Sequence, residues 1–204
     1  HQYNLMKINI ISATIMALLA VLSSANAGLI ISQYIETNSG TSPKGIELWN
    51  TTGDTIDFAV TPRTIYAART SSGNIGAFGS STSSNDTFTL NTGTLAANAV
   101  MVVGTSGMGD YLTSLGTGVQ FHIQNWYFNG DDALQVQLGG AVQDTFGQDN
   151  VADPGSTWGT DATVKTVNLN LALKADITTG DVDGWSDPTE RFEVVTDSSG
   201  VAVV

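Results

Sequence analysis

"FNGDDALQVQLGGAVQDTFGQ", residues 128–148, carries three aspartates, Asp131, Asp132 and Asp144, around an alternating apolar run broken by Gly139-Gly140. It reads as an acidic active site, as a metal site, or as a β-hairpin whose aspartates shape turns. The alternation favours the hairpin. Leu134, Val136 and Leu138 fall on one side of an extended chain and Gln135 and Gln137 on the other, so one face is buried and one is wet. A two-residue loop at Gly139-Gly140 would set Leu138 opposite Ala141 and Gln137 opposite Val142, mixing polar and apolar residues on one face. A three-residue loop, 139–141, pairs Leu138 with Val142 and Leu134 with Phe146. The apolar pattern therefore predicts the longer loop, with a glycine available for a left-handed position. That register turns Asp144 inward, opposite Val136, where a carboxylate must be hydrogen-bonded or paired. "NGDD" at 129–132 is ordinary turn chemistry.

The rhythm continues on both sides of the hairpin. Candidate strands are "LIISQYI" (29–35), "GIELWN" (45–50), "TIDFAV" (55–60), "TIYAART" (64–70), "DTFTL" (86–90) and "AVMVV" (99–103). "VQFHIQ" (119–124), "ALQVQL" (133–138), "VQDTFG" (142–147), "VKTVNLNLAL" (164–173) and "RFEVV" (191–195) complete the set. Short apolar runs recurring at intervals of about ten residues predict an antiparallel β sandwich or barrel. Beyond residue 27 no segment shows a long 3.6-residue apolar period. One or two helical turns around "GDYLTSL" (109–115) are the best helical candidate, and "SSGNIGAFGSSTSSN" (71–85) reads as a small-residue loop.

The N-terminus has a different character. Lys7 precedes the apolar "INIISATIMALLAVL" (8–22), and "SSANA" follows, with Ala25 and Ala27 before Gly28. Charged n-region, apolar h-region and small-x-small cleavage site read as a secretory signal peptide. The apolar run is too short to span the roughly 30 Å hydrocarbon layer. Residues 1–27 are thus read as upstream residues and signal peptide, with Met6 as the start. Residues 28–204 are read as one β domain, secreted or held at the cell surface, with no membrane span.

Charge and cysteine usage narrow the function classes. The formal net charge is -12, and removing Lys7 leaves 6 basic against 19 acidic residues, a net of -13. That field disfavours nucleic-acid binding, which depends on lysine and arginine, and suits a soluble surface and divalent cations. The absence of cysteine excludes disulfides and cysteine-ligated metals. His122 is the single histidine after the leader, so a Ser-His-Asp arrangement would have to run through it. In "VQFHIQNW", Phe121 and Ile123 share one face and His122 falls with Gln120 and Gln124 on the other, so His122 is expected at the strand surface. No serine lies in a Gly-x-Ser-x-Gly elbow, and no glycine-rich loop with a lysine precedes a helix. Carboxylates are plentiful enough for glycoside hydrolysis, but no supporting motif surrounds the four glutamates, Glu36, Glu47, Glu190 and Glu193. Trp49, Trp126, Trp158 and Trp185 would form a carbohydrate-stacking face if exposed together; core packing is the commoner use.

The densest set of oxygen ligands is "TTGDVDGWSDP", with Asp181, Asp183 and Asp187. Asp-x-Asp-Gly resembles the start of a calcium loop, in which alternate carboxylates converge on one hard cation. It lacks the twelve-residue spacing and closing glutamate of an EF-hand, and the plainer reading is a solvated acidic turn.

Several motifs in order carry a family resemblance. "LIISQYIETNSGTSPKGIELWNTTGDTIDF" (29–58), "FNGDDALQVQ", "VQDTFGQ", "DPGSTWG" (153–159) and "LKADITTGDVDGWSDPTERFE" (173–193) resemble the lamin-tail-like domain of secreted bacterial proteins. The likeness spans about residues 28–195. It implies an immunoglobulin-like antiparallel β-sandwich and a non-catalytic module that binds a protein or surface ligand and often accompanies secreted nucleases or phosphatases. Two features depart from the pattern. Only Lys174 stands where an Arg-Lys pair is usual, and Trp185 replaces a small or polar residue. The expectation is a secreted, non-catalytic binding or interaction module. The alternatives are the accessory domain of a longer secreted nuclease or phosphatase, or a self-assembling surface or filament subunit.

Overall fold

The computed structural model describes residues 28–36, 43–160 and 163–197. The leader read at 1–27 and the apolar ending "VAVV" lie outside the described residues. In chain order the strands are β1 (Leu29–Glu36), β2 (Lys44–Asn50), β3 (Ile56–Asp57), β4 (Arg63–Ala68), β5 (Thr70–Ser71), β6 (Asn74–Ile75) and β7 (Thr87–Leu90). They continue as β8 (Thr94–Leu95), β9 (Val100–Gly104), β10 (Gln120–Ile123), β11 (Ala133–Leu138), β12 (Ala141–Phe146), β13 (Leu169–Leu173) and β14 (Phe192–Asp197). One helix, α1 (Ser106–Leu115), and a 3-10 turn, Pro188–Glu190, complete the elements. The protein is all-β, as its periodicity predicts.

Two sheets dominate. One runs β10-β9-β2-β1-β13-β14 and the other β12-β11-β4-β7. Neighbours are antiparallel except β9 and β10. A parallel pair cannot be joined by a tight turn and needs a crossover, and α1 lies in that connection. The helix ends on Gly116 in the left-handed conformation, φ 64°. It starts at Ser106, earlier than the apolar pattern suggests, and buries only Met108, so periodicity signals it weakly. Phe121 packs beneath it. A Cβ on Gly109 would come within 2.6 Å of the Phe121 ring, so this turn of helix approaches β10 closely only because residue 109 is glycine.

The two large sheets share one apolar cluster. Leu29, Ile31, Ile46, Leu48, Met101 and Leu171 from the first meet Ile65, Ala67, Leu134, Val136 and Phe146 from the second. Tyr34 stacks on Phe146 between the layers, ring centroids 4.4 Å apart. Phe146 also meets Trp185 and Phe192 edge-on. Trp126, Trp158 and Trp185 are buried and Trp49 is half-buried. They therefore form no common exposed stacking face.

The hairpin departs from its predicted register in an instructive way. Leu134 pairs with Phe146 and Val136 with Asp144, as the apolar pattern requires. The loop, however, is two residues long. Leu138 pairs with Ala141 and Gln137 with Val142, and Gly139 and Gly140 both take positive φ, 56° and 86°. A β-bulge at Gln143 absorbs the extra residue that the prediction had placed in the loop. The bulge lets the tight primed turn and the apolar register coexist. Nor is the second face wet as expected. Gln135 is buried and donates to the Thr145 hydroxyl at 3.1 Å, because the 180–185 loop covers this edge. Thr145 N donates to Asp181 O, and Trp185 N to Gly147 O.

Three other predicted segments shorten or bury differently. "TIDFAV" is strand only at Ile56–Asp57, because Asp57 accepts from Ala59, Val60 and Thr61 and closes a turn. "VKTVNLNLAL" becomes strand only from Leu169, since Asn168 takes φ 55° and breaks the extension. In β10 burial does not divide the two faces as expected: Gln120, Phe121 and His122 are half-buried alike. Ile123 is 61% exposed, while His122 is half-buried with its ring 6.0 Å from that of Phe88.

Candidate functional site

The inward aspartates hold backbone N–H groups. β1 carries its own bulge between Ile31 and Gln33. Asp144, reaching from β12, accepts from Ile31 N at 2.8 Å and, through its other oxygen, from Asp181 N at 2.7 Å. Arg191 stands 3.6 Å from the same carboxylate. Burial outweighs these contacts and pushes the Asp144 carboxyl up to about 6. Asp132 repeats the design at the entrance to β11. Its oxygens accept from Thr70 N at 2.8 Å and Asn129 N at 2.6 Å, and burial pushes it up to about 6 as well. Asp131 accepts from the Thr70 hydroxyl. Asp86 accepts from Nη2 of Arg69 at 2.9 Å, and the Nε of the same guanidinium lies in ion-pair contact 2.8 Å from its other oxygen. The stretch at 128–148 thus builds turns and register.

Asp181, Asp183 and Asp187 are not drawn together. Among the described residues, no group of three His, Cys, Asp or Glu side chains is placed to hold a metal ion. Asp181 accepts from Asp183 N and Gly184 N, both at 3.0 Å, and shapes its own turn. Asp187 accepts from Thr189 N and the Thr189 hydroxyl, capping the 3-10 turn. Asp183 projects outward, exposed.

His122 has its Nε2 3.2 Å from the Gln120 amide nitrogen, and burial lowers its pKa. It is thereby biased towards the neutral ring. Its nearest aromatic neighbour, Phe88, supplies no proton acceptor.

A surface cleft lies elsewhere among the described residues, where the 148–160 loop meets the turn at 184–187. It holds about 480 Å³ and is lined in part by Gln148, Trp158, Gly159, Thr160, Ser186 and Asp187. Trp158 forms its fixed wall: the indole N–H donates to Asp132 O at 2.9 Å and the backbone N–H to the Thr166 hydroxyl. Gly159 N donates to Ser186 O and ties the two loops together. The lining offers hydroxyls, a carboxamide and a carboxylate over the buried Trp158. Those groups can hydrogen-bond and pack against a polar ligand or a partner's side chain. Sequence reasoning passed over this cleft, because its residues come from two separated loops and none carries a catalytic signature. "DPGSTWG" was its only trace. Comparisons with family profiles, with curated proteins and with solved structures found no match.

Proposed function

We propose that the chain is a secreted, non-catalytic interaction module of the lamin-tail-like type, built as an immunoglobulin-like β-sandwich. The observation that carries this reading is the use made of the buried carboxylates. Asp132 and Asp144 each accept two backbone N–H groups, which makes them framework. The layered antiparallel sheets and their shared core support the sandwich architecture. The cleft beside Trp158 is the contact surface in this reading, and its partner is a protein or surface ligand.

Two measurements test it. The purified chain should leave DNA, casein and p-nitrophenyl esters intact with magnesium or calcium present. Turnover that disappears on replacing His122 with Ala would make the protein an enzyme. In parallel, the labelled chain should bind washed envelopes of the producing cells. Ser186→Trp, which fills the cleft from an exposed position, should weaken that binding at least tenfold. Undiminished binding by a folded Ser186→Trp chain overturns the assignment of the cleft.

A further inference from the structure

A buried lysine is costly unless its charge is matched, and Lys44, at the start of β2, is 2% exposed. Its ammonium nitrogen lies 2.9 Å from Oδ1 of Asn129, 3.4 Å from Oε1 of Glu36 and 2.5 Å from the carbonyl oxygen of Phe128. The Phe128 ring closes one side, its centroid 5.8 Å from the nitrogen. Each member is fixed. Glu36 accepts from Asn168 N at 2.6 Å, Lys44 N donates to the Thr105 hydroxyl, and Asn129 N donates to Asp132. Tyr34 donates its hydroxyl to Asn129 O. An amine, a carboxamide and a carboxyl group therefore meet in one largely dry site, with the outer side of Asn129 open to solvent.

We propose that Lys44 and Asn129 join spontaneously through an amide bond between Nζ of Lys44 and Cγ of Asn129, with Glu36 as the proton-transfer group. Glu36 takes a proton from the Lys44 ammonium. The freed lone pair adds to Cγ of Asn129, as amine nucleophiles do to carbonyl carbons. Glu36 then gives its proton to Nδ2 and receives one from Nζ, acting as acid and base in turn. The Cγ–Nδ2 bond breaks and ammonia leaves on the open side of Asn129, carrying away the surplus proton as ammonium. One C–N bond forms, one breaks, and nothing is oxidised or reduced. Burial raises the Glu36 pKa, which favours the protonated acid that the second step needs. The product ties β2 of the six-stranded sheet to the segment entering β11 of the four-stranded sheet. It is a covalent strap between layers in a chain that has no cysteine to make one.

The test is the mass of the intact, folded, full chain. The wild type should be lighter than its sequence by one ammonia, and a protease digest should contain the Lys44 peptide joined to the Asn129 peptide. Lys44→Met and Glu36→Gln should both show the full mass. Glu36→Gln keeps the shape of the side chain, so it answers even where Lys44→Met fails to fold. A wild type of unreduced mass overturns the proposal, as does one heavier by deamidation at Asn129-Gly130. Loss of ammonia that persists in Lys44→Met marks a succinimide at Asn129 and overturns it too. Undiminished linkage in Glu36→Gln removes Glu36 from the reaction.

Discussion

At the scale of single residues, Asp144 concentrates the tension in this fold. It is held by two backbone N–H groups, yet its burial raises its pKa to about 6, and Asp132 behaves alike. A carboxyl whose folded pKa is raised binds more protons in the native state than in the unfolded chain, whose aspartates titrate near 3.9. Its contribution is therefore greatest below the unfolded value and falls away as pH rises through about 6. A shift of this size corresponds to about 2–3 kcal/mol for each group. The midpoint of urea denaturation should accordingly rise as pH falls from 8 to 5, against the usual trend for acidic proteins. Asp144→Asn should flatten that slope. It should also cost about 1–3 kcal/mol, because the amide nitrogen cannot accept from a backbone N–H. A midpoint whose pH slope is the same in wild type and Asp144→Asn would show that Asp144 titrates at its ordinary value.

At the scale of elements, the hairpin makes a sharper claim. Phe146 stacks on Tyr34 and meets Trp185 and Phe192, all buried. Phe146→Ala should cost about 3–5 kcal/mol in denaturant melts. Gln135, which the alternation places in water, is buried against Thr145. Gln135→Ala should therefore cost about 1–3 kcal/mol, by leaving the Thr145 hydroxyl short of a donor. A loss below about 0.5 kcal/mol, typical of surface sites, would mean that the 180–185 loop does not cover β12 in solution. The same pair shows what alternation can and cannot reveal. Apolar period two located β11 to the residue and paired Leu134 with Phe146, because burial of a face is a local pattern. It could not reveal the bulge at Gln143. There, one residue leaves the ladder and its amide oxygen accepts from Arg63 Nε at 2.6 Å, a partner eighty positions away. Nor could it show which loop covers the outer face. The cleft was opaque, whereas the acidic loop left two readings open, a calcium loop and the plainer solvated turn. Asp181, Asp183 and Asp187 look like ligands in one dimension, but each oxygen's partner is set by backbone direction.

At the scale of the whole molecule, the charge of -12 sets the response to ions. Self-repulsion in so acidic a chain weakens the compact state, and any salt relieves it. At 0.1 M ionic strength the Debye length is about 10 Å, so most exposed carboxylates no longer feel one another. A bound calcium would act differently. It would stabilise only the folded state, by RT ln(1 + [L]/Kd), about 2.7 kcal/mol at a hundredfold excess over Kd. Extracellular calcium sites often bind in the range of about 10⁻⁴ to 10⁻³ M, so millimolar calcium is the fair challenge. In this structure Asp181 and Asp187 already accept from their own turns, and Asp183 stands alone. Gathering them around a cation would break those hydrogen bonds. The melting temperature should therefore rise with sodium chloride and reach the same value in millimolar calcium at matched ionic strength, with EDTA changing nothing further. A calcium-specific rise that Asp183→Asn abolishes would mean that the 181–187 loop rearranges to bind the ion.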